Sequence, residues 1–164
     1  MALYYCDDDI LETTAHGMVN PVNCELVCTG GLALQVLLQY PEHYKSLYSL
    51  QRLEPGCIHW TEQLLDGYRF TIVDIATKHR TKERSTLELI EAGLNTLIEN
   101  FDRLDMQSIA IPALGCGMGK MEWRHMHEPL LRILEPLYAH HDVHLYVPQP
   151  TIQIWGGKVQ GVIE

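Results

Sequence analysis

The amino-acid sequence predicts an α/β domain of three layers, in which helices cover both faces of a central mixed β-sheet. Two observations predict this fold. Stretches with strand character alternate with stretches of helical spacing, and residues 108–114 (SIAIPAL) are uniformly apolar, as in a strand covered on both faces. The chain has 164 residues, of which 46% are apolar and 20% charged, so it is long enough for one domain with a full core.

The predicted elements follow from the order of these stretches. Strands are expected at residues 2–6, 16–22, 57–64, 68–77, 108–114 and 143–148. An Asp66-Gly67 turn joins the third strand to the fourth. One helix is expected to begin at Gly30 and Gly31 and to end before Pro41, which takes the first position of the next helix because its missing N–H is harmless there.

Two longer helices complete the prediction. Ser85 and Glu88 form a capping-box pattern, and apolar residues then recur at helical spacing as far as residue 101. Residues 122–138 predict a second helix, with a kink or a late start at Pro129. We therefore expect one domain over residues 1–148, followed by a tail at 149–164 that is an extra strand, a docking segment or the start of a linker.

Composition limits the classes of function. The net charge of −9 argues against binding of long nucleic acid without regard to sequence. Five scattered cysteines without a C-x-x-C pair favour a reduced, cytoplasmic protein, and the absence of a long apolar run or a signal-like start argues against a membrane protein. The paired histidines at 125/127 and 140/141 have no completing ligands nearby, so we expect no metal site.

Three loops that follow predicted strands are candidates for ligand binding, because ligands of such sheets bind at the carboxyl ends of strands. The first loop (residues 20–31) contains two asparagines and a glycine pair at the start of a helix, and the glycine loop (113–122) has glycine at three alternate positions. Both suit backbone N–H contacts to phosphate, although plain tight turns explain each alone. The basic loop (78–84, KHRTKER) holds four of the twelve Lys and Arg residues; it is either a solvated loop or a contact for an anion.

Taken together, these segments resemble a known family. The stretch DDILETTAHGMVNPVN, the Gly-Gly helix start, the TK that ends a strand and AIPALGCGMGKMEW are similar to the macrodomains, which bind ADP-ribose. Within that group the chain most resembles the DarG-type antitoxin macrodomains of DNA ADP-ribosylating toxin–antitoxin pairs. The resemblance covers residues 8–147 and implies a three-layer α/β/α macrodomain with a central mixed sheet.

The resemblance also implies roles for individual residues. Asp9 would accept from the adenine amino group with Ile10 beside it, Asn23 would hydrogen-bond the ribose at the reacting end, and Asn20 would support that loop. Lys78 would be the catalytic residue, and Asn23 belongs with it to the implied catalytic site. Backbone contacts to the phosphates and the adjoining ribose are implied for Gly30, Gly31, Gly115, Cys116, Gly117, Met118 and Gly119. DNA contacts are expected from His79, Arg80, Lys82 and Arg84.

The implied activity is removal of ADP-ribose from a nucleobase of single-stranded DNA, with Lys78 attacking the terminal ribose C1 and forming a Schiff base. No cofactor is expected, and ADP-ribose would be bound as product or ligand. The expected partners are ADP-ribosylated DNA and a cognate toxin-type ADP-ribosyltransferase. The antitoxins carry a further domain, so this chain is an excised domain or a stand-alone protein of bacterial or phage defence. Alternatives are a hydrolase of ADP-ribosylated protein or O-acetyl-ADP-ribose, a non-catalytic reader, and an interaction module.

Several positions differ from those of family members, among them Leu26 beside Glu25, and His79 and Arg80, which stand in the reverse of the expected order. Glu25 and Thr29 stand where small residues are expected, so Glu25 is either an acid/base near the reacting ribose or a source of repulsion toward DNA phosphate. Gly119 stands where related eukaryotic hydrolases carry an aspartate, which fits the antitoxin type and leaves the general acid unassigned. For Lys78 the alternative is an ordinary surface lysine on a turn.

Overall fold

A computed structural model describes residues 1–148 and confirms the α/β class. The expectation for the tail at 149–164 lies outside the described residues. The strands are β1 (Ala2–Cys6), β2 (Gly17–Asn23), β3 (Ile58–Leu65), β4 (Tyr68–Lys78), β5 (Ser108–Ile111) and β6 (Asp142–Tyr146). The α-helices are α1 (Gly31–Gln39), α2 (Pro41–Tyr48), α3 (Leu87–Glu99) and α4 (Trp123–Tyr138), and short 3-10 turns occupy Ile10–Glu12 and Phe101–Leu104.

The sheet has six strands in the order β1-β6-β5-β2-β4-β3. Every neighbouring pair is parallel except β3 and β4, which form an antiparallel hairpin at one edge. The sheet is therefore mixed, as the sequence predicts. Because β1, β6, β5, β2 and β4 run in the same direction, their carboxyl ends meet at one edge of the sheet, which is where a ligand cleft is expected.

Two apolar layers cover the sheet. Side chains of α3 and α4, such as Leu94 and Leu130, pack with Val19 and Ile109 on one face. Val36 of α1 packs with strand residues on the opposite face, and the side chains around α2 form a third cluster. Burial on both faces explains why residues 70–78 of β4 are buried without alternation. Among residues 1–148, no helix is long and apolar enough to cross a lipid bilayer.

The start of α3 corrects one sequence prediction. The N-cap is Thr86, whose side chain accepts from the Leu89 N–H, and not Ser85. Ser85 is buried and otherwise engaged: its N–H donates to the Gly119 carbonyl at 3.0 Å, and its Oγ donates to Thr77 Oγ1 at 3.3 Å. Ser85 thus joins the end of β4 to the glycine loop, so the helix takes its cap one residue later.

The start of α4 and the end of β5 also differ from the sequence prediction. Helix α4 runs without a break from Trp123, and both Pro129 and Pro136 lie inside it, so the expected late start at Pro129 is wrong. Strand β5 ends at Ile111 rather than at residue 114, because Pro112 has no N–H to donate to a neighbouring strand. The chain leaves the sheet there and enters the glycine loop.

Candidate functional site

A cleft of about 670 Å³ opens at the carboxyl edge of the parallel strands. Its walls come from the first loop, the glycine loop, the base of the basic loop and the segments that follow β1 and β6. Eleven of the residues singled out from the sequence lie in these walls: Asp9, Ile10, Asn23, Gly30, Gly31, Lys78, Gly115, Cys116, Gly117, Met118 and Gly119. The fold thus brings the three loops to one cavity, while the particular contacts assigned to each residue stay predictions.

The two ends of the cleft are far apart. Asp9 follows β1 at one side and Lys78 ends β4 at the other, and these strands lie four positions apart in the sheet. With neighbouring strands about 4.8 Å apart, the cleft spans about 19 Å. At the β1 end, Asp9 Oδ1 accepts from the Leu11 N–H at 3.0 Å, which fixes the start of the 3-10 turn. A carboxylate has further acceptor capacity, so Asp9 can also accept from a ligand.

Asn23 holds the first loop closed. Its Oδ1 accepts from the Val27 N–H at 3.1 Å, and its Nδ2 donates to the Val27 carbonyl at 2.8 Å and to Thr81 Oγ1 at 3.3 Å. Both N–H bonds of the amide are therefore occupied, and only its oxygen keeps acceptor capacity. In this conformation Asn23 positions the first loop against the basic loop.

The glycine pair of the first loop lies beneath Met118 of the glycine loop. Gly30 is the N-cap residue of α1, with no side-chain cap, and Gly31 has a φ of 63°, in the left-handed region that favours glycine. A Cβ on Gly30 would lie 2.9 Å from the Met118 sulfur. The first-turn N–H groups of α1 lack acceptors within the helix, so they can donate to an anion in the cleft.

The three alternate glycines of the glycine loop differ in how strongly the fold requires them. Gly115 has a φ of 79°. A Cβ on Gly119 would lie 2.2 Å from Ser85 Oγ and 2.6 Å from the Gly115 carbonyl oxygen, so no side chain fits there, including the aspartate of related hydrolases. A Cβ on Gly117 would have nothing within 4 Å. The packing of the protein therefore excludes a side chain at Gly119 but leaves the space at Gly117 empty.

Lys78 is buried at the β4 end of the cleft, with a relative exposure of 7%. Its Nζ donates to the Thr81 carbonyl at 2.8 Å and to the Met118 carbonyl at 3.5 Å. Burial lowers the pKa of the Lys78 amine below its usual value, and the charge of Lys120 lowers it further. An ordinary surface lysine on a turn would be exposed, so this alternative is wrong.

The other basic residues of the basic loop lie outside the cleft. His79, Arg80, Lys82 and Arg84 are exposed beside Lys78 and do not line the cleft. The cation that lowers the pKa of Lys78 is Lys120, which lies outside the basic loop. Lys120 follows the last glycine of the glycine loop, and its carbonyl accepts from Arg84 Nη2 at 2.7 Å. The order of the sequence alone gives no sign that Lys120 lies near Lys78.

Asn20 also lies away from the cleft. It is 2% exposed in the middle of β2, and its Nδ2 donates to Asp74 Oδ1 at 2.8 Å. A direct contact between Asn20 and a ligand in the cleft is therefore excluded in this conformation. Glu25, considered from the sequence as an acid or base, is exposed and does not line the cleft either.

Cys116 packs the glycine loop against the core. Its thiol donates to the Leu114 carbonyl at 3.7 Å, and burial raises its pKa to about 12. A thiol with that pKa is almost entirely protonated near neutral pH, so it is a poor nucleophile. Among the residues that line the cleft, the carboxylates are Asp8 and Asp9, both at the β1 end and distant from Lys78.

The sequence of this chain matches the model of a known family. The family model of the Macro domain matches residues 19–128. This is more than half of the 164 residues, and the chain therefore belongs to the Macro domain family.

Within the family, the chain is similar to a particular group. It is 31% identical over 137 residues to the DNA ADP-ribosyl glycohydrolase of Mycobacterium tuberculosis, covering 81% of this chain and 39% of that protein. The solved macrodomain of Mycobacterium tuberculosis DarG superposes with a TM-score of 0.82 at 28% identity, over 90% of this chain and 98% of that one. Thermosipho africanus DarTG in complex with ADP-ribose gives a TM-score of 0.83 at 27% identity, over 91% and 42%. The chain spans about two fifths of the length of its curated relatives.

Proposed function

We propose that this protein is a hydrolase that removes ADP-ribose from a nucleobase of DNA. The observation that carries the proposal is the buried amine of Lys78, which has a lowered pKa, at the end of a cleft with backbone N–H groups in its walls. The relatives named DNA ADP-ribosyl glycohydrolase and the similar DarTG structure in complex with ADP-ribose support the same conclusion.

The cleft suits a diphosphate that joins two ribose units. Gly30 and Gly31 offer the N–H groups at the start of α1 from one side, and the glycine loop offers backbone from the other. With the diphosphate held between these two loops, the adenine would lie toward Asp9. The terminal ribose would lie toward Lys78, about 19 Å away across the sheet. The open space at Gly117 is then available to the ligand.

The surroundings of Lys78 suit a nucleophile. A neutral amine has two N–H bonds and one lone pair. The carbonyls of Thr81 and Met118 accept the two N–H bonds, which leaves the lone pair for attack. The low pKa raises the fraction of amine that is neutral near pH 7.

The reaction then proceeds in two stages. The lone pair of Lys78 attacks C1 of the terminal ribose, the bond between C1 and the base nitrogen breaks, and that nitrogen keeps the electron pair and takes a proton from solvent. The sugar ring opens to give a Schiff base between Nζ and C1. Water adds to the Schiff base, ADP-ribose leaves, and the amine is restored. The chemistry uses no metal or redox cofactor.

DNA is the favoured carrier of the modification because the exposed basic loop adjoins the reacting end of the cleft. Its side chains, His79, Arg80, Lys82 and Arg84, can contact phosphates while the modified base enters. A base that is unpaired reaches the cleft at a lower energetic cost, so single-stranded DNA is the expected form. A toxin-type ADP-ribosyltransferase would produce this substrate, in keeping with the DarTG relative, and we expect both proteins in the cytoplasm.

A paired assay tests the nucleophile. Wild type, Lys78→Ala and the control Lys45→Ala, an exposed lysine of α2, are incubated with oligonucleotides carrying ADP-ribose on thymidine or on guanosine. We expect release by wild type and Lys45→Ala only, ADP-ribose binding by all three in calorimetry, and a borohydride-trapped adduct that needs Lys78. Equal release by Lys78→Ala would refute the mechanism.

The same assay separates the alternatives. Faster release from modified protein or from O-acetyl-ADP-ribose than from the oligonucleotides would replace DNA as the substrate. Binding of ADP-ribose without release from any of these substrates would make the protein a reader. Failure to bind free ADP-ribose would indicate that the protein is an interaction module.

A further inference from the structure

A second cluster of polar side chains lies under α2, away from the cleft. Asn20, Asp74 and His59 form one row across the sheet, because Asn20 pairs with Asp74 between β2 and β4, and His59 pairs with Asp74 between β3 and β4. His43 reaches the same point from α2. The side chains of Asp74, His43 and His59 are 0%, 1% and 10% exposed.

Three possible ligand atoms converge in this cluster. Asp74 Oδ2 lies 2.8 Å from His43 Nε2 and 2.7 Å from His59 Nδ1. The ligand atoms of the three residues all lie within 4.8 Å of one another. Ligands of tetrahedral zinc, with bonds of about 2.0–2.2 Å, lie about 3.3–3.6 Å apart. Small side-chain rotations therefore suffice to admit an ion.

Each of the three side chains has a second partner that fixes its orientation. His43 Nδ1 hydrogen-bonds Thr61 Oγ1, and His59 Nε2 hydrogen-bonds Ser46 Oγ at 2.9 Å. The other carboxylate oxygen, Asp74 Oδ1, accepts from Asn20 Nδ2 at 2.8 Å. Histidines that bind metals characteristically donate their second ring N–H to such a group, which directs the other nitrogen at the ion.

The buried carboxylate of Asp74 also favours a bound cation. A carboxylate with no exposed surface is costly unless a positive charge lies beside it. Within residues 1–148, the basic groups beside Asp74 are the imidazoles of His43 and His59, and no Lys or Arg pairs with it. A divalent cation bound by these imidazoles would place a positive charge next to the buried carboxylate.

We propose that His43, His59 and Asp74 bind a divalent transition-metal ion of the zinc class, which ties α2 to β3 and β4. Three protein ligands leave one coordination position for water. The site is separate from the reacting centre, since Asp74 and Lys78 are four residues apart on β4, about 13 Å. At that distance the ion takes no part in the lysine chemistry. The three residues are far apart in sequence, so spacing alone does not reveal the site.

Metal binding to the full chain, without a polyhistidine tag, tests the proposal. After chelator treatment and dialysis, zinc is titrated into wild type, His59→Gln and the control His140→Gln, which alters an exposed histidine of a turn. We expect one zinc ion per chain in wild type and in His140→Gln, none in His59→Gln, and a rise in Tm of roughly 5–10 °C at a free zinc concentration of 100 Kd.

Two further measurements make the result decisive. Cobalt(II) bound to wild type should give the visible absorption of tetrahedral coordination, which needs no variant to fold. Binding of ADP-ribose, measured in parallel, should persist in His59→Gln if the variant is folded. The proposal is overturned if chelated wild type binds no zinc or cobalt, or if it binds no more than His59→Gln; the cluster would then be a hydrogen-bonded network only.

Discussion

Gly117 and Gly119 allow a sharp test, because the same substitution at two positions in one loop should have opposite effects. Neither glycine has a positive φ, so alanine brings no backbone strain at either position. At Gly119 the new Cβ would lie 2.6 Å from a backbone carbonyl and 2.8 Å from Ser85 Cβ, neither of which can rotate away. Such overpacking destabilises a protein by about 1–3 kcal/mol. For a chain of this size the Tm should fall by roughly 2–12 °C.

At Gly117 the new methyl group meets nothing within 4 Å. Alanine there reduces the entropy of the unfolded chain, so the variant should be as stable as wild type or more so, by about 0.4–1 kcal/mol. If ADP-ribose fills that space, the methyl group should weaken its binding by about 1–3 kcal/mol, which is roughly 5- to 150-fold.

The assay is thermal unfolding without ligand, paired with calorimetric titration of ADP-ribose. Two results would refute the reasoning. Unchanged affinity in Gly117→Ala would mean that the ligand does not use the open space, and an unchanged Tm in Gly119→Ala would mean that the contact with Ser85 can relax.

Other predictions concern charge, capping and thiols. Lys120→Met should raise the pKa of Lys78. Because kcat/KM rises with pH as the amine loses its proton, it should reach its plateau at a higher pH in this variant. An unshifted pH profile would mean that Lys120 does not lower the pKa of Lys78. Thr86→Ala should cost about 0.5–2 kcal/mol in urea unfolding, whereas Glu88→Ala should cost less than about 0.5 kcal/mol, and the reverse ranking would restore the sequence-predicted cap. Cys57 is the exposed thiol among the five cysteines, so titration with a thiol reagent under native conditions should give one fast equivalent per chain, and two or more would contradict the described burial.

The sequence predicts the fold better than it predicts the details of the site. Uniformly apolar strands and the amphipathic α3 are local signals of burial, and the glycine pair at the start of α1 is a local signal of a helix start, so the layers and the three loops follow from them. The cap of α3 could not be placed because the choice between Ser85 and Thr86 depends on Gly119, which lies 34 residues further along the chain.

The other details of the site that the sequence does not predict depend on contacts between distant segments of the chain. Lys120 lowers the pKa of Lys78 only because the glycine loop folds over the end of β4. Asn20 was expected to support the ligand loop, and instead its amide faces Asp74 because the two residues are partners in neighbouring strands. Strand register is a property of the sheet as a whole, and a single sequence without strand pairing does not specify it.

The width of the sheet separates the two ends of the cleft. One flank, formed by β1 and β6, carries Asp9, while Lys78 lies on the other side, where β4 ends. In the proposed hydrolase, a substitution near Asp9 would therefore change which nucleotide is accepted without moving the amine of Lys78. Choice of ligand and rate of turnover would then be altered separately, by changes in different parts of the chain.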